Sequence, residues 1–290
     1  MRPRFVVAAV FAFVSVACAH TPSGPLSSPI TPAIVHPSGP DQVVLRVELV
    51  GGFVAPETTF ARMPSFSVMG DGTTIEPGAQ TEIYPGQALP PLMARTISED
   101  GIQAILGAAI DAGLDRDATL GDLGSVGVSD MPTTVFTLSA NGEIHHVEAY
   151  ALGMSGDERP GGMSQETWAA RQALSSFVER LGRLPTWLPE GSIGAEAPYD
   201  APAAALLVGA YRADPGLTQN PVAWPLGTGL AGFGSEEPSG VNGRCGTVTG
   251  SDWVALLPAA RDANTLTPWT SDGQRYAITF RPLLPDQHDC

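Results

Sequence analysis

Lysine is absent: all 15 basic residues among the 290 are arginine, set against 30 Asp and Glu for a formal charge of -15. Without lysine there is no Schiff-base chemistry, no Walker A phosphate clamp and no Ser-x-x-Lys hydrolase. An acidic chain is a poor match for a phosphate backbone, which excludes nucleic acid as a partner. Cysteine is scarce. Cys18, Cys245 and Cys290 are the whole set, with no C-x-x-C among them, so no zinc ribbon or dithiol redox motif is present. H-E-x-x-H, G-x-G-x-x-G and G-x-S-x-G are also missing. Ser155, in Gly153-Met154-Ser155-Gly156, comes within one residue of the last of these. No motif calls for a cofactor.

The residues that are present begin with an address. Arg2 and Arg4 form a positive n-region, and residues 5–17 are apolar apart from Ser15. That length suits the h-region of a signal peptide and falls short of the about 20 apolar residues of a membrane span. Two processing routes fit the residues around Cys18. Ser15-Val16-Ala17-Cys18 looks like a bacterial lipobox, in which Cys18 is lipidated with palmitate-type chains and becomes residue one. Serine stands three positions before the cysteine, where such motifs usually carry leucine. Alternatively, Ala17-Cys18-Ala19 is an A-x-A site, with cleavage before His20. The next segment favours lipidation. Residues 19–40 carry Pro22, Pro25, Pro29, Pro32, Pro37 and Pro40 among Ser and Thr, without a charged residue. Such a stretch is expected to stay extended and semi-rigid, as a tether between a bilayer and a domain must be.

Either route leaves Cys245 and Cys290. An oxidising compartment would let them pair; the alternative is two free thiols. The bridge would hold the end of the sequence, a segment that otherwise frays.

Three turn signals frame strands in residues 41–290. Gly70-Asp71-Gly72, Asn141-Gly142 and Asp272-Gly273 each lie between β-rich runs, and Asn-Gly suits a type I′ hairpin because both central residues need positive φ. Val43, Leu45, Val47 and Leu49 alternate with Arg46 and Glu48, the pattern of a half-buried strand. Ser98 caps a helix whose Ile102, Ile105, Leu106, Ala109 and Ile110 form one stripe, with Gly113 as its stop. A second helix starts near Ser164. Its Ala170, Leu174, Phe177, Val178 and Leu181 share a face, Arg171, Glu179 and Arg180 are expected in solvent, and Gly182 and Pro185 end it. A weaker third helix, kinked by Pro258, runs from Asp252 to about Asp262. The expected fold is α+β: an antiparallel sheet built from hairpins, two amphipathic helices packed on it, and a strand-rich C-terminal part closed by the disulfide. The expected organisation is a signal peptide at 1–17, lipidation site and tether at 18–40, an α+β domain at 41–184 and a C-terminal subdomain at 185–290. The last boundary is soft. It lies in the proline-rich stretch 184–199, and the two parts are free to share one core.

Phe66-Ser67-Val68 with Asp71-Gly72, Ile83-Tyr84-Pro85-Gly86, Arg244-Cys245-Gly246, and Arg281-Pro282-Leu283-Leu284-Pro285 with Cys290 give the chain a familiar look. It resembles uncharacterised lipoprotein-like proteins exported by high-GC bacteria, over most of 41–290. The resemblance implies export, an anchored location and the disulfide. It implies no activity.

Candidate chemistry is thin. In Glu143-Ile144-His145-His146-Val147-Glu148, a strand would put Glu143 and His145 on one face and His146 and Glu148 on the other. A four-ligand zinc site within this strand is thereby excluded; one pair could join ligands from elsewhere, but solvated cross-strand pairs are expected. Asp111, Asp115, Asp117 and Asp122 crowd one loop, but EF-hand spacing fails at Leu120 and Val126. Trp168, Trp187, Trp224, Trp253 and Trp269 are expected in or near the core rather than along a sugar or peptide groove. Residues 153–162 read as a loop, and 221–234 as either a recognition loop or an irregular connection. No residue qualifies as catalytic, cofactor-binding or metal-binding.

Together these features describe a lipid-anchored extracytoplasmic protein on the outer face of a bacterial membrane, with a binding or structural role. Its partners would be the membrane, through the Cys18 anchor, and an unspecified envelope protein or small molecule. The rivals are a cell-envelope hydrolase with a dispersed acidic site and a secreted inhibitor or adhesion module.

Overall fold

A computed structural model describes residues 32–154, 158–236 and 243–290. Ile34–Cys290 form one compact unit. The elements are β1 (Val43–Gly51), α1 (Pro56–Ala61), β2 (Phe66–Met69), β3 (Thr73–Pro77), β4 (Leu92–Thr96), α2 (Glu99–Asp111), β5 (Ala118–Leu120), β6 (Pro132–Ala140), β7 (Glu143–Tyr150), α3 (Gln165–Leu181), β8 (Ala197–Pro198), β9 (Ala203–Ala210), β10 (Val222–Ala223), β11 (Ser235–Glu236), β12 (Arg244–Thr249), α4 (Gly250–Asp262), β13 (Trp269–Ser271) and β14 (Gln274–Pro282). They build two sheets. One has eight strands in the order β5-β7-β6-β1-β2-β3-β4-β8, the other six in the order β10-β13-β14-β9-β12-β11.

The fold is α+β, but its sheets are mixed rather than antiparallel. β5 pairs parallel to β7, and β10 parallel to β13. Both are edge strands of two or three residues. Neither enters through a tight turn, so no hairpin signal marks it, and a parallel neighbour needs a long connection. The expected hairpins do form. Asn141 and Gly142 have φ of 54° and 82°, and Asp272 and Gly273 52° and 76°. At the β2–β3 turn, Gly72 has φ 84°, and a Cβ there would run into the Ile97 carbonyl.

The first sheet buries one face under α2 and α3. Leu45, Val47, Phe136 and Leu138 meet Ile102, Ile105, Leu106, Leu174 and Phe177. α2 starts after Ser98, whose side chain makes no cap bond; its backbone N–H donates to Ser192 instead. Ser164 caps α3 through the Thr167 N–H. A bulge between Val43 and Leu45 breaks the alternation of β1, so Val44 enters this core and Val43 packs on the opposite side. Residues 34–40, inside the stretch read as a tether, lie on this unit: Ile34 exchanges backbone bonds with the Gln103 amide, and His36 meets Glu99 at 3.1 Å.

The second sheet packs α4 on one face. Trp253, Leu256 and Ala260 contact the side of β9 and β14 that carries Leu206, Val208, Ile278 and Phe280. Pro258 lies inside α4. Trp224, Trp269, Phe233 and Phe280 form an aromatic cluster with centroids 5.7–6.1 Å apart. Residues 221–234 are thus core-building, with Trp224, Leu230 and Phe233 all buried.

Two arginines depart from the pattern expected of the sequence. Arg171 is not solvated; it is fully buried. α3 aims it at the ends of β5 and β7, where it donates to the carbonyls of Leu120, Tyr150 and Ala151 at 2.8–3.0 Å. Arg46 is also buried. On the face of β1 away from the helices, it donates to both carboxylate oxygens of Asp286 at 2.7 and 2.6 Å. Periodicity sees only the residue's own strand or helix, and both partners come from far along the chain.

Candidate functional site

The face of the second sheet opposite α4 carries Leu207, Thr279 and Cys245 in one register row. Over it lies α1, a single six-residue helix without a buried residue. α1 follows Gly51 and Gly52, both at positive φ, a conformation that suits residues without Cβ. It is held by Phe60, which sits 5.3 Å from the Arg281 guanidinium, and by Arg62, which donates to the Leu49 and Gly51 carbonyls.

Because a helix this short covers little of the sheet, open space remains around it. A cleft of about 590 Å³ is lined by Glu57, Thr58, Ala61, Arg62 and Met63 on one wall, by Pro77, Gln80, Gln87, Ala88 and Pro90 on the other, and by Thr265, Ala277, Ile278 and Thr279 below. A hollow of about 330 Å³ adjoins it through Glu57, Thr265, Ala277 and Thr279, and adds Leu207, Gly209, Tyr211, Arg212 and Leu266. The far wall is anchored where Ala88 and Gly86 hydrogen-bond to Ala263 and Thr265. The cleft is of ligand-binding size, with Ala277 and Ile278 beside Thr265 and Thr279 in its floor and walls that mix apolar residues with amides, hydroxyls and the charges of Glu57 and Arg62. Among the described residues, Glu57 is the one carboxylate that lines it, and no histidine or thiol does.

A further hollow of about 340 Å³ lies between Pro90–Met93, Tyr199–Ala201 and the α4 residues Trp253, Leu257 and Arg261. Arg261 pairs there with Asp200. Burial pushes the Tyr199 hydroxyl up, and Asp71 and Asp286 push it further, so it stays protonated.

The residues singled out in the sequence lie elsewhere. Cys18, Arg2, Arg4, Ser15 and Ser155 fall outside the described residues. Cys245 and Cys290 are bonded, with Cα atoms 6.1 Å apart. His145 lies 3.4 Å from Glu143 and 3.8 Å from Asp117 on one face of β7; His146 faces the other way, beside Thr137. Asp117 accepts the His146 backbone N–H, Asp122 that of Gly124, and Asp115 lies beside Arg116. Of these, Asp117 ties the acidic segment to β7. Among the described residues no group of three His, Cys, Asp or Glu is placed to hold a metal ion, and no helix is long and apolar enough to cross a membrane. Trp224, Trp253 and Trp269 are core residues. Sequence reasoning missed the cleft because α1 has no apolar stripe and its floor comes from strands far along the chain.

Two carboxylates beside the first sheet titrate in opposite directions. Burial pushes the Glu76 carboxyl up, Arg95 opposes this, and Glu196 adds to it; the net is upward from 4.5. Burial also pushes Glu99 up, but hydrogen bonds from Gln103 and His36 and the His36 charge outweigh it, and the net is downward from 4.5. The folded chain thus holds the Glu76 proton to higher pH than the unfolded chain, and that contribution to stability fades as pH rises through the folded titration. The Glu99 contribution is present above the ordinary value and is lost as pH falls through its folded titration. Carboxyl NMR titration is expected to place Glu76 above and Glu99 below 4.5. Coincident midpoints would refute both environments.

Fold and site together define a class: an α+β protein of two mixed sheets, stapled by the Cys245–Cys290 disulfide, with a cleft of mixed polar and apolar lining beside a lightly packed helix. No known protein family, curated protein or solved structure matches the chain. The disulfide is the chemistry of an oxidising, extracytoplasmic compartment.

Proposed function

We propose that the chain is a lipid-anchored extracytoplasmic binding protein of the bacterial cell envelope. The cleft beside α1 carries the binding half of this reading, because it sets apolar Ala61, Met63, Pro77, Ala88, Ala277 and Ile278 among a few polar groups, with Glu57 and Arg62 as its charges. The address at residues 1–18 carries the anchored half, supported by the Cys245–Cys290 bond.

The anchor is tested by the intact mass of natively expressed protein from membrane and medium fractions. A mass beginning at Cys18 with a diacylglycerol adduct, in the membrane, is the expected result; a mass beginning at His20, in the medium, overturns the anchor. Binding is tested with the neutral apolar probe N-phenyl-1-naphthylamine. Saturable fluorescence enhancement is expected, and Ala61→Trp, on the α1 wall of the cleft, should abolish it. A probe that shows no saturation, or ignores that substitution, overturns the cleft as the site.

A further inference from the structure

The 330 Å³ hollow holds two charges of opposite sign that no described residue satisfies. Glu57 and Arg212 both line it, both are exposed, and neither makes a hydrogen bond or ion pair with a described residue. That is unusual for this chain's arginines. Among the described residues, only Arg212 and Arg275 lack such a bond, an ion pair or a ring contact. The others hold backbone carbonyls, as Arg62, Arg171 and Arg244 do, acids, as Arg46, Arg95 and Arg261 do, or a ring, as Arg180 does.

We infer that this hollow binds a short zwitterionic peptide, its carboxylate on Arg212 and its ammonium on Glu57, with an apolar body along Leu207, Ala277 and Leu266. This rests on the cleft being a binding site and names its ligand class. A guanidinium offers a paired fork for a carboxylate. One charge of each sign gives a ligand of zero net charge, which the acidic chain does not repel. Thr265 and Thr279 supply hydroxyls for a peptide group. Other classes fit less well. A sugar wants an aromatic platform, and Tyr211 is the one aromatic here. A phosphate wants more than one cation.

The experiment is calorimetric titration of the exported protein, in low salt, with alanyl-leucine, its N-acetyl form and its C-terminal amide. Free alanyl-leucine is expected to bind one to one. Amidation or Arg212→Gln should each weaken it about tenfold, as should acetylation or Glu57→Gln, the loss of one charge-assisted bond. The amide should lose nothing further on Arg212→Gln, and the acetyl form nothing further on Glu57→Gln. Both side chains are exposed and bonded to no described residue, so neither change should disturb folding. Absence of alanyl-leucine binding, or blocked forms binding as tightly as the free one, overturns the inference. If N-phenyl-1-naphthylamine still saturates and still responds to Ala61→Trp, the cleft survives and only the zwitterionic ligand falls. If neither probe binds, both readings fall.

Discussion

Replacing Arg171 by methionine is expected to destabilise the protein by about 3–5 kcal/mol. The side chain is fully buried and satisfies three carbonyls at once, those of Leu120, Tyr150 and Ala151. Methionine fills similar space but donates nothing, and each buried acceptor left without a donor costs about 1–3 kcal/mol. Burial pushes the guanidinium down from its ordinary value and Asp122 pushes it back up; arginine starts so high that it stays charged at neutral pH. Arg171→Lys keeps the charge and loses the fork, so it should recover only part of the loss. Urea unfolding followed by circular dichroism measures both variants. A loss below about 1 kcal/mol for the methionine variant would mean that the carbonyls find water and that Arg171 is not the peg of the β5–β7 edge.

Removing the Cys245–Cys290 bond is expected to cost roughly 4 kcal/mol in the chain-entropy picture, for partners 45 residues apart. Its effect should also be local. The segment after β14 reaches the first sheet: Leu284 packs with Met69, Ile75 and Leu92, and Asp286 takes both bonds from Arg46. Cys290 then ties this segment to β12. The double variant Cys245→Ser with Cys290→Ser should therefore show faster hydrogen exchange in residues 283–290. Arg46→Ala with the bond intact should show a smaller change in the same segment. Equal unfolding midpoints with and without the bond would show that Leu284 and Asp286 hold the segment unaided.

The turn at Asn141-Gly142 and the helices at Ser98 and Ser164 were legible because each depends on neighbours in sequence: positive φ, a cap, a stripe at helical spacing. The aromatic cluster was legible in kind, since Trp224, Trp253 and Trp269 are buried as expected while Trp168 and Trp187 are half-buried, but which of them touch was not. The parallel edges β5 and β10 were not legible, being two or three residues long and paired across long connections. The solvated role expected of Arg171 failed for a related reason. A helical wheel gives direction, and the need of three carbonyls for a donor is visible only once β5 and β7 end beneath α3.

By itself the sequence determined what chemistry is unavailable, where the hairpins and long helices lie, and which two cysteines are able to pair, because composition and short-range spacing control all of these. Only the tertiary structure decided that Arg46 and Asp286, 240 residues apart, would meet, and that Glu57 and Arg212 would share one hollow. Such meetings depend on how two sheets are assembled from distant strands, and no local periodicity encodes them.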